Sequence, residues 1–83
     1  MKIALVQVGD RLSLEMDAVG FDAVWALVKQ IYSDVQVAVA GSHDRVRFGG
    51  AVFLHENEWD QPCLLSQTPE GDALLKEVAG HFA

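Results

Sequence analysis

Two six-residue stretches, Ile3 to Val8 and Arg11 to Met16, flank the dipeptide Gly9-Asp10, and this arrangement constrains the fold more than any other part of the chain. Glycine followed by a polar residue suits a two-residue type II′ hairpin turn. A turn of that length fixes the register. Pairing Val8 with Arg11 sets Ile3 opposite Met16, Leu5 opposite Leu14 and Gln7 opposite Leu12 on one face. Ala4, Glu15, Val6, Ser13, Val8 and Arg11 fall on the other. One face is apolar and the other mixed, so the hairpin must bury one side.

From about Asp17 the alternation stops, and Phe21, Val24, Trp25, Val28, Ile31 and Tyr32 recur at helical spacing. Ser33-Asp34 ends this helix before the β-branched run Val35 to Val39, which reads as a third strand. Gly41-Ser42-His43-Asp44 reads as a turn. Beyond it Val46, Phe48, Gly50, Val52 and Leu54 alternate with Arg45, Arg47, Gly49, Ala51, Phe53 and His55, which favours one long strand over 45–55. The competing reading places a hairpin turn at Gly49-Gly50. Glu56 to Pro62 has no apolar periodicity and is expected to form a loop, and Cys63-Leu64-Leu65 suffices only for a short edge strand. Thr68 has the character of an N-cap, with Pro69 at the first helical position and Glu70 and Asp72 in the first turn. Leu74, Leu75, Val78 and Phe82 then give the second helix one apolar stripe.

The expected architecture is a single α+β domain over residues 1–83: a mixed or antiparallel sheet of four to five strands, two helices on one face, in the order β-β-α-β-β-(β)-α. A hydrophobic fraction of 51% in 83 residues argues for a packed core and against disorder. No apolar run approaches the roughly 18 to 20 residues that span a bilayer, and Met1-Lys2 leads into a strand pattern instead of a signal peptide. The single cysteine, Cys63, cannot form an internal disulfide, which fits a reducing cytoplasm. Six Lys and Arg against twelve Asp and Glu give a net charge of −6, which disfavours direct contact with nucleic acid or anionic lipid and suits a partner with a basic surface.

The segment His55-Glu56-Asn57-Glu58-Trp59-Asp60 is the leading candidate site. Glu56, Glu58, Trp59 and Asp60 place a large aromatic among carboxylates, the chemistry of an interface anchor with a charged rim. The bland alternative folds Trp59 back over the core edge and leaves the acids solvated. A metal reading of the same acids fails on spacing: Gln61 stands where a calcium loop needs glycine, and Gln67 where it needs a bidentate acid. Neither metal nor cofactor is expected. A nucleophilic reading would use Cys63, His55 as base and Asp60 or Glu58 as orienter, but no nucleophile turn surrounds Cys63, and no catalytic residue is assigned. Arg45 and Arg47 form a secondary candidate, a basic stripe with Arg11 or Lys2 on which a phosphate or acidic peptide could dock. Their bland alternative is a solvated sheet face or a charged edge.

By exclusion, the expected function is a non-enzymatic acidic module that occupies a surface of a larger protein, in the manner of immunity proteins, antitoxins or phage and mobile-element anti-defence proteins. One alternative is a structural subunit covered by a second copy in a homodimer, and another is a small-ligand or metal-binding regulator.

Overall fold

The computed structural model describes residues 1–40, 43–58 and 61–83. The chain runs β1 (Ile3–Val8), β2 (Arg11–Met16), α1 (Ala18–Ile31), β3 (Gln36–Ala40), β4 (His43–Phe48), β5 (Ala51–Glu58), β6 (Gln61–Ser66) and α2 (Pro69–Gly80). The strands form one six-stranded sheet in the order β1-β2-β6-β5-β4-β3, antiparallel at every pairing. The first hairpin has the register that its turn length dictates, from Val8 against Arg11 to Ile3 against Met16. α1 then carries the chain to the far edge, β3 to β6 return as a meander, and β6 closes the sheet on β2.

Both helices start as the sequence dictates. Asp17 caps α1, its Oδ1 accepting from the Gly20 backbone N–H at 2.6 Å. Backbone N–H groups of Lys2 and Gly20 hold its carboxyl below the usual aspartate range. Thr68 caps α2 through Gly71 N–H at 3.0 Å, with Pro69 in the first turn. Asp72 fastens that turn to β2, accepting from Leu12 N–H at 2.9 Å and from Arg11 at 3.0 Å.

The helices cover one face only. Leu14, Met16, Val46, Phe48, Ala51, Phe53 and Leu64 from the sheet meet Val24, Val28, Leu75 and Val78 from the helices in one buried cluster. Full burial of each valine, leucine, methionine or phenylalanine side chain among them contributes about 1.5 to 3 kcal/mol. Phe48 and Phe53 stack at its centre with ring centroids 4.4 Å apart, and Tyr32, at the end of α1, closes over Phe48 at 5.1 Å.

Three expectations are corrected. The sheet has six strands where four to five were expected, because 45–55 is a hairpin and not one long strand. Gly49 and Gly50 have φ of 60° and 79°, the left-handed region at both central positions that a tight hairpin turn demands and side chains resist. Asp34 locks the turn by accepting from both N–H groups at 2.8 Å. A two-residue turn also re-phases the strand. Phe48 pairs with Ala51, so Ala51, Phe53 and His55 share the helix-covered face with Val46 and Phe48, while Val52 and Leu54 join Arg45 and Arg47.

The second correction concerns Glu56 to Pro62, read as a loop. β5 continues to Glu58 and β6 begins at Gln61, paired from Phe53–Ser66 to Glu58–Gln61. Ladder hydrogen bonds need only backbone, so polar side chains do not interrupt them. The third is that β6 is central, between β2 and β5, and not a short edge strand. Pro62, the residue least suited to a central strand, lies just outside the Cys63–Leu65 stretch that pairs with β2. Of the proposed turn at 41–44, Gly41 and Ser42 lie outside the described residues, and His43 and Asp44 belong to β4.

Candidate protein-binding surface

Among the described residues no helix packs on the second face of the sheet, and the register states what stands there. Reading across the strands, Val6, Ser13, Leu65, Leu54, Arg45 and Ala38 are successive partners. Beside this row run Ala4, Glu15, Cys63 and Glu56 on one side, and Val52, Arg47 and Gln36 on the other. Val6, Leu54, Leu65 and Val52 are each half-buried by their neighbours, and the small Ser13 is buried between Val6 and Leu65. A solvated sheet face ordinarily alternates to polar residues. This one carries a band of apolar residues on three strands, β1, β6 and β5, with Ser13 of β2 set among them.

The band is charged asymmetrically. Glu15 and Glu56 flank Cys63 from the two neighbouring strands, toward the end of the sheet where β5 and β6 lead to residues 59 and 60. Burial pushes the Cys63 thiol up, and the two glutamates add to the shift. Arg45 and Arg47, both exposed, occupy the β4 side above a shallow depression of about 570 Å³ lined also by Gln36, Ala38 and Val52.

Of the acidic residues singled out in the sequence, Glu56 and Glu58 stand two apart on β5. Glu56 lies half-buried on the open face. Glu58 ends β5, opposite Gln61. Trp59 and Asp60 lie outside the described residues. Arg45 and Arg47 share one face, as the spacing requires, but neither Arg11 nor Lys2 extends their stripe. Arg11 is on β2, with β6 and β5 between it and β4, and is engaged by Asp72; Lys2 precedes β1 at the opposite edge. Nor are they a charged edge, since β3 lies outside them.

No family model, curated protein or solved structure matches this chain. Its chemistry must therefore be read from its own geometry. Cys63 pairs with Glu56 and His55 with Leu64, so the thiol and the imidazole project from opposite faces of the sheet. The nucleophile-base pair considered from the sequence is not assembled. The same alternation parts His55 from Glu56 as metal ligands. Among the described residues no group of three or more His, Cys, Asp or Glu side chains is placed to hold a metal ion. No helix among them is long and apolar enough to cross a membrane.

One arrangement escaped sequence reasoning. His55 stacks on Phe21 at 4.7 Å between ring centroids, 7° from parallel, with Nδ1 3.7 Å from Asp44 Oδ2 and Nε2 buried without a hydrogen-bond partner among the described residues. A small cleft of about 250 Å³ lies against it, bounded by Ala18, Phe21, Asp22, Asn57 and Pro62. The signal was available: with the turn placed at Gly49-Gly50, His55 falls in phase with Ala51 and Phe53 beneath α1.

Proposed function

We propose that the chain is a non-enzymatic binding protein of the inhibitor type, acting as immunity proteins, antitoxins and anti-defence proteins do, by occupying a surface of a larger protein. The observation that carries this reading is the uncovered sheet face, with its band of Val6, Leu65, Leu54 and Val52 bordered by Glu15 and Glu56. A desolvated apolar centre with a charged rim is the anatomy of a specific interface. Strands hold these side chains in fixed register, so little conformational entropy is lost when a partner covers them. The acids, with a net charge of −6 behind them, favour a basic surface and would accelerate its approach. Glu56, Glu58, Trp59 and Asp60 form the rim of this contact in the proposal, the tryptophan serving as anchor.

The test is affinity capture from the native host, followed by reconstitution with the captured protein in pure form. Leu54→Glu with Leu65→Glu places two charges in the band, and Trp59→Ala removes the anchor. The proposal expects the double variant to lose the partner while still melting cooperatively, at a temperature lowered by the two half-buried leucines it gives up and by the facing glutamates, and Trp59→Ala to weaken binding at least about ten-fold. Undiminished binding by the double variant rejects the sheet face as the contact.

A further inference from the structure

Of the two strands that bound the sheet, β3 is the one the helices leave bare. Register places Val37 and Val39 on the helix-bearing side with Val46, yet they are 51% and 81% exposed. Sheet edges are ordinarily protected by charge, proline, a bulge or a covering element. The residues of β3, Gln-Val-Ala-Val-Ala, include neither charge nor proline, and the strand pairs with β4 without interruption from Gln36–Arg47 to Ala40–His43. One strand inward stand Arg45 and Arg47, exposed on the open face and joined to no carboxylate by an ion pair among the described residues. Arg47 is felt electrostatically by Asp34, but that carboxylate is committed to the Gly49 and Gly50 N–H groups.

We propose that the free edge of β3 receives an extended segment of a partner protein as a seventh strand, and that this segment carries carboxylates at alternate positions facing Arg45 and Arg47. The backbone of β3 supplies the ladder, as in other strand-addition complexes. Specificity comes from the row behind it. Neighbouring strands lie about 4.8 Å apart, so side chains of an added strand stand roughly 9.6 Å from the β4 axis. Opposite Arg45 the intervening residue is Ala38, whose methyl group leaves the depression open, and an extended arginine and a glutamate together bridge that distance. The alternate residues of the segment, if apolar, cover Val37 and Val39.

Charge selects the occupant. A second copy pairing β3 with β3 about Ala38 would bring the arginines of both chains onto one continuous face and supply them with no carboxylate, because β3 itself has none. An acidic strand instead brings carboxylates to two guanidinium groups that have no ion pair among the described residues. Repulsion from the rest of the molecule is damped beyond the Debye length of about 8 Å at physiological ionic strength. The edge and the sheet face are different contacts, and this inference stands or falls separately from the proposed function.

The probe is a labelled nine-residue peptide alternating valine with glutamate, set against the valine-lysine peptide of equal length, with binding read by fluorescence anisotropy and by amide shifts in the 36–40 segment. The expected result is a preference of about ten-fold for the glutamate peptide, reduced by added salt, with shifts in β3. Arg45→Glu with Arg47→Glu, at two exposed positions, should reverse the preference while the melting curve stays cooperative. Equal binding of both peptides, binding of neither, or indifference to the charge reversal overturns the proposal. So does sedimentation showing a dimer whose protected amides lie in β3, because the edge would then be filled by a second copy.

Discussion

Truncating Phe53 and Leu54 to alanine, each alone, reads out which face of β5 meets the helices. Phe53 is 0% exposed and stacked on Phe48 in the middle of the core, whereas Leu54 stands half-buried on the open face opposite Leu65 and Arg45. Loss of a buried phenylalanine side chain costs about 3 to 5 kcal/mol, transfer and cavity together. Leu54 leaves no enclosed cavity, and about half of its transfer free energy is at stake, roughly 1 kcal/mol. For 83 residues the total stability is about 4 to 12 kcal/mol, so Phe53→Ala removes a large share of it and Leu54→Ala a small one. Urea denaturation followed by far-ultraviolet circular dichroism measures the difference. With a slope near 1 kcal/mol per molar urea, Phe53→Ala lowers the midpoint by about 3 M or more and Leu54→Ala by about 1 M. Should Phe53→Ala fail to fold, Phe53→Leu serves, with an expected cost of roughly 1 to 2 kcal/mol. Equal losses at the two positions, or the larger loss at Leu54, would refute the hairpin phase and the division of faces built on it.

Other consequences follow from single contacts. Gly20→Ala gains helix propensity, yet the new methyl group meets the Lys2 backbone carbonyl, which cannot move aside without shifting β1; the melting temperature should fall, and a rise would contradict the close approach of α1 to that strand. Backbone hydrogen bonds hold the carboxyls of Asp17, Asp34 and Asp72 below their ordinary range, so their stabilisation is present in full above about pH 5 and is lost as pH falls through the depressed values. Melting temperatures should therefore drop on acidification below about pH 4, and Asp34→Asn should make that drop shallower. Because burial raises the Cys63 thiol, iodoacetamide at pH 8 should label it at least several-fold more slowly than it labels the chain in urea; equal rates would mean the thiol is not shielded between Glu15 and Glu56.

Much of the fold was legible because local rules agreed with the global ones. Gly9-Asp10 set the first register, Asp17 and Thr68 marked helix starts, and the stripe through Val24 and Val28 named the buried side of α1. Periodicity failed where two phases fitted the same letters. Across Gly49-Gly50 an uninterrupted strand and a two-residue hairpin both give alternation, and they assign Phe53 and Leu54 to opposite faces. Only the tertiary contacts, above all Phe53 on Phe48 and Asp34 on the glycine amides, decide between them. The strand character of Glu56 to Glu58 was hidden for another reason: pairing with β6 is a backbone property that polar side chains do not announce. Of the candidate site, the type of each residue could be read but not its neighbours. That Glu15 and Glu56 flank Cys63, or that His55 lies on the face away from it, depends on β6 entering between β2 and β5.

The most direct measurement is a methyl NMR titration of the labelled protein with its purified host partner. The account predicts that the methyl signals of Val6, Leu54 and Leu65 shift or broaden on binding, while those of Val24, Leu75 and Val78 stay in place. Perturbation confined to the helical side, with the sheet methyls unmoved, would contradict it.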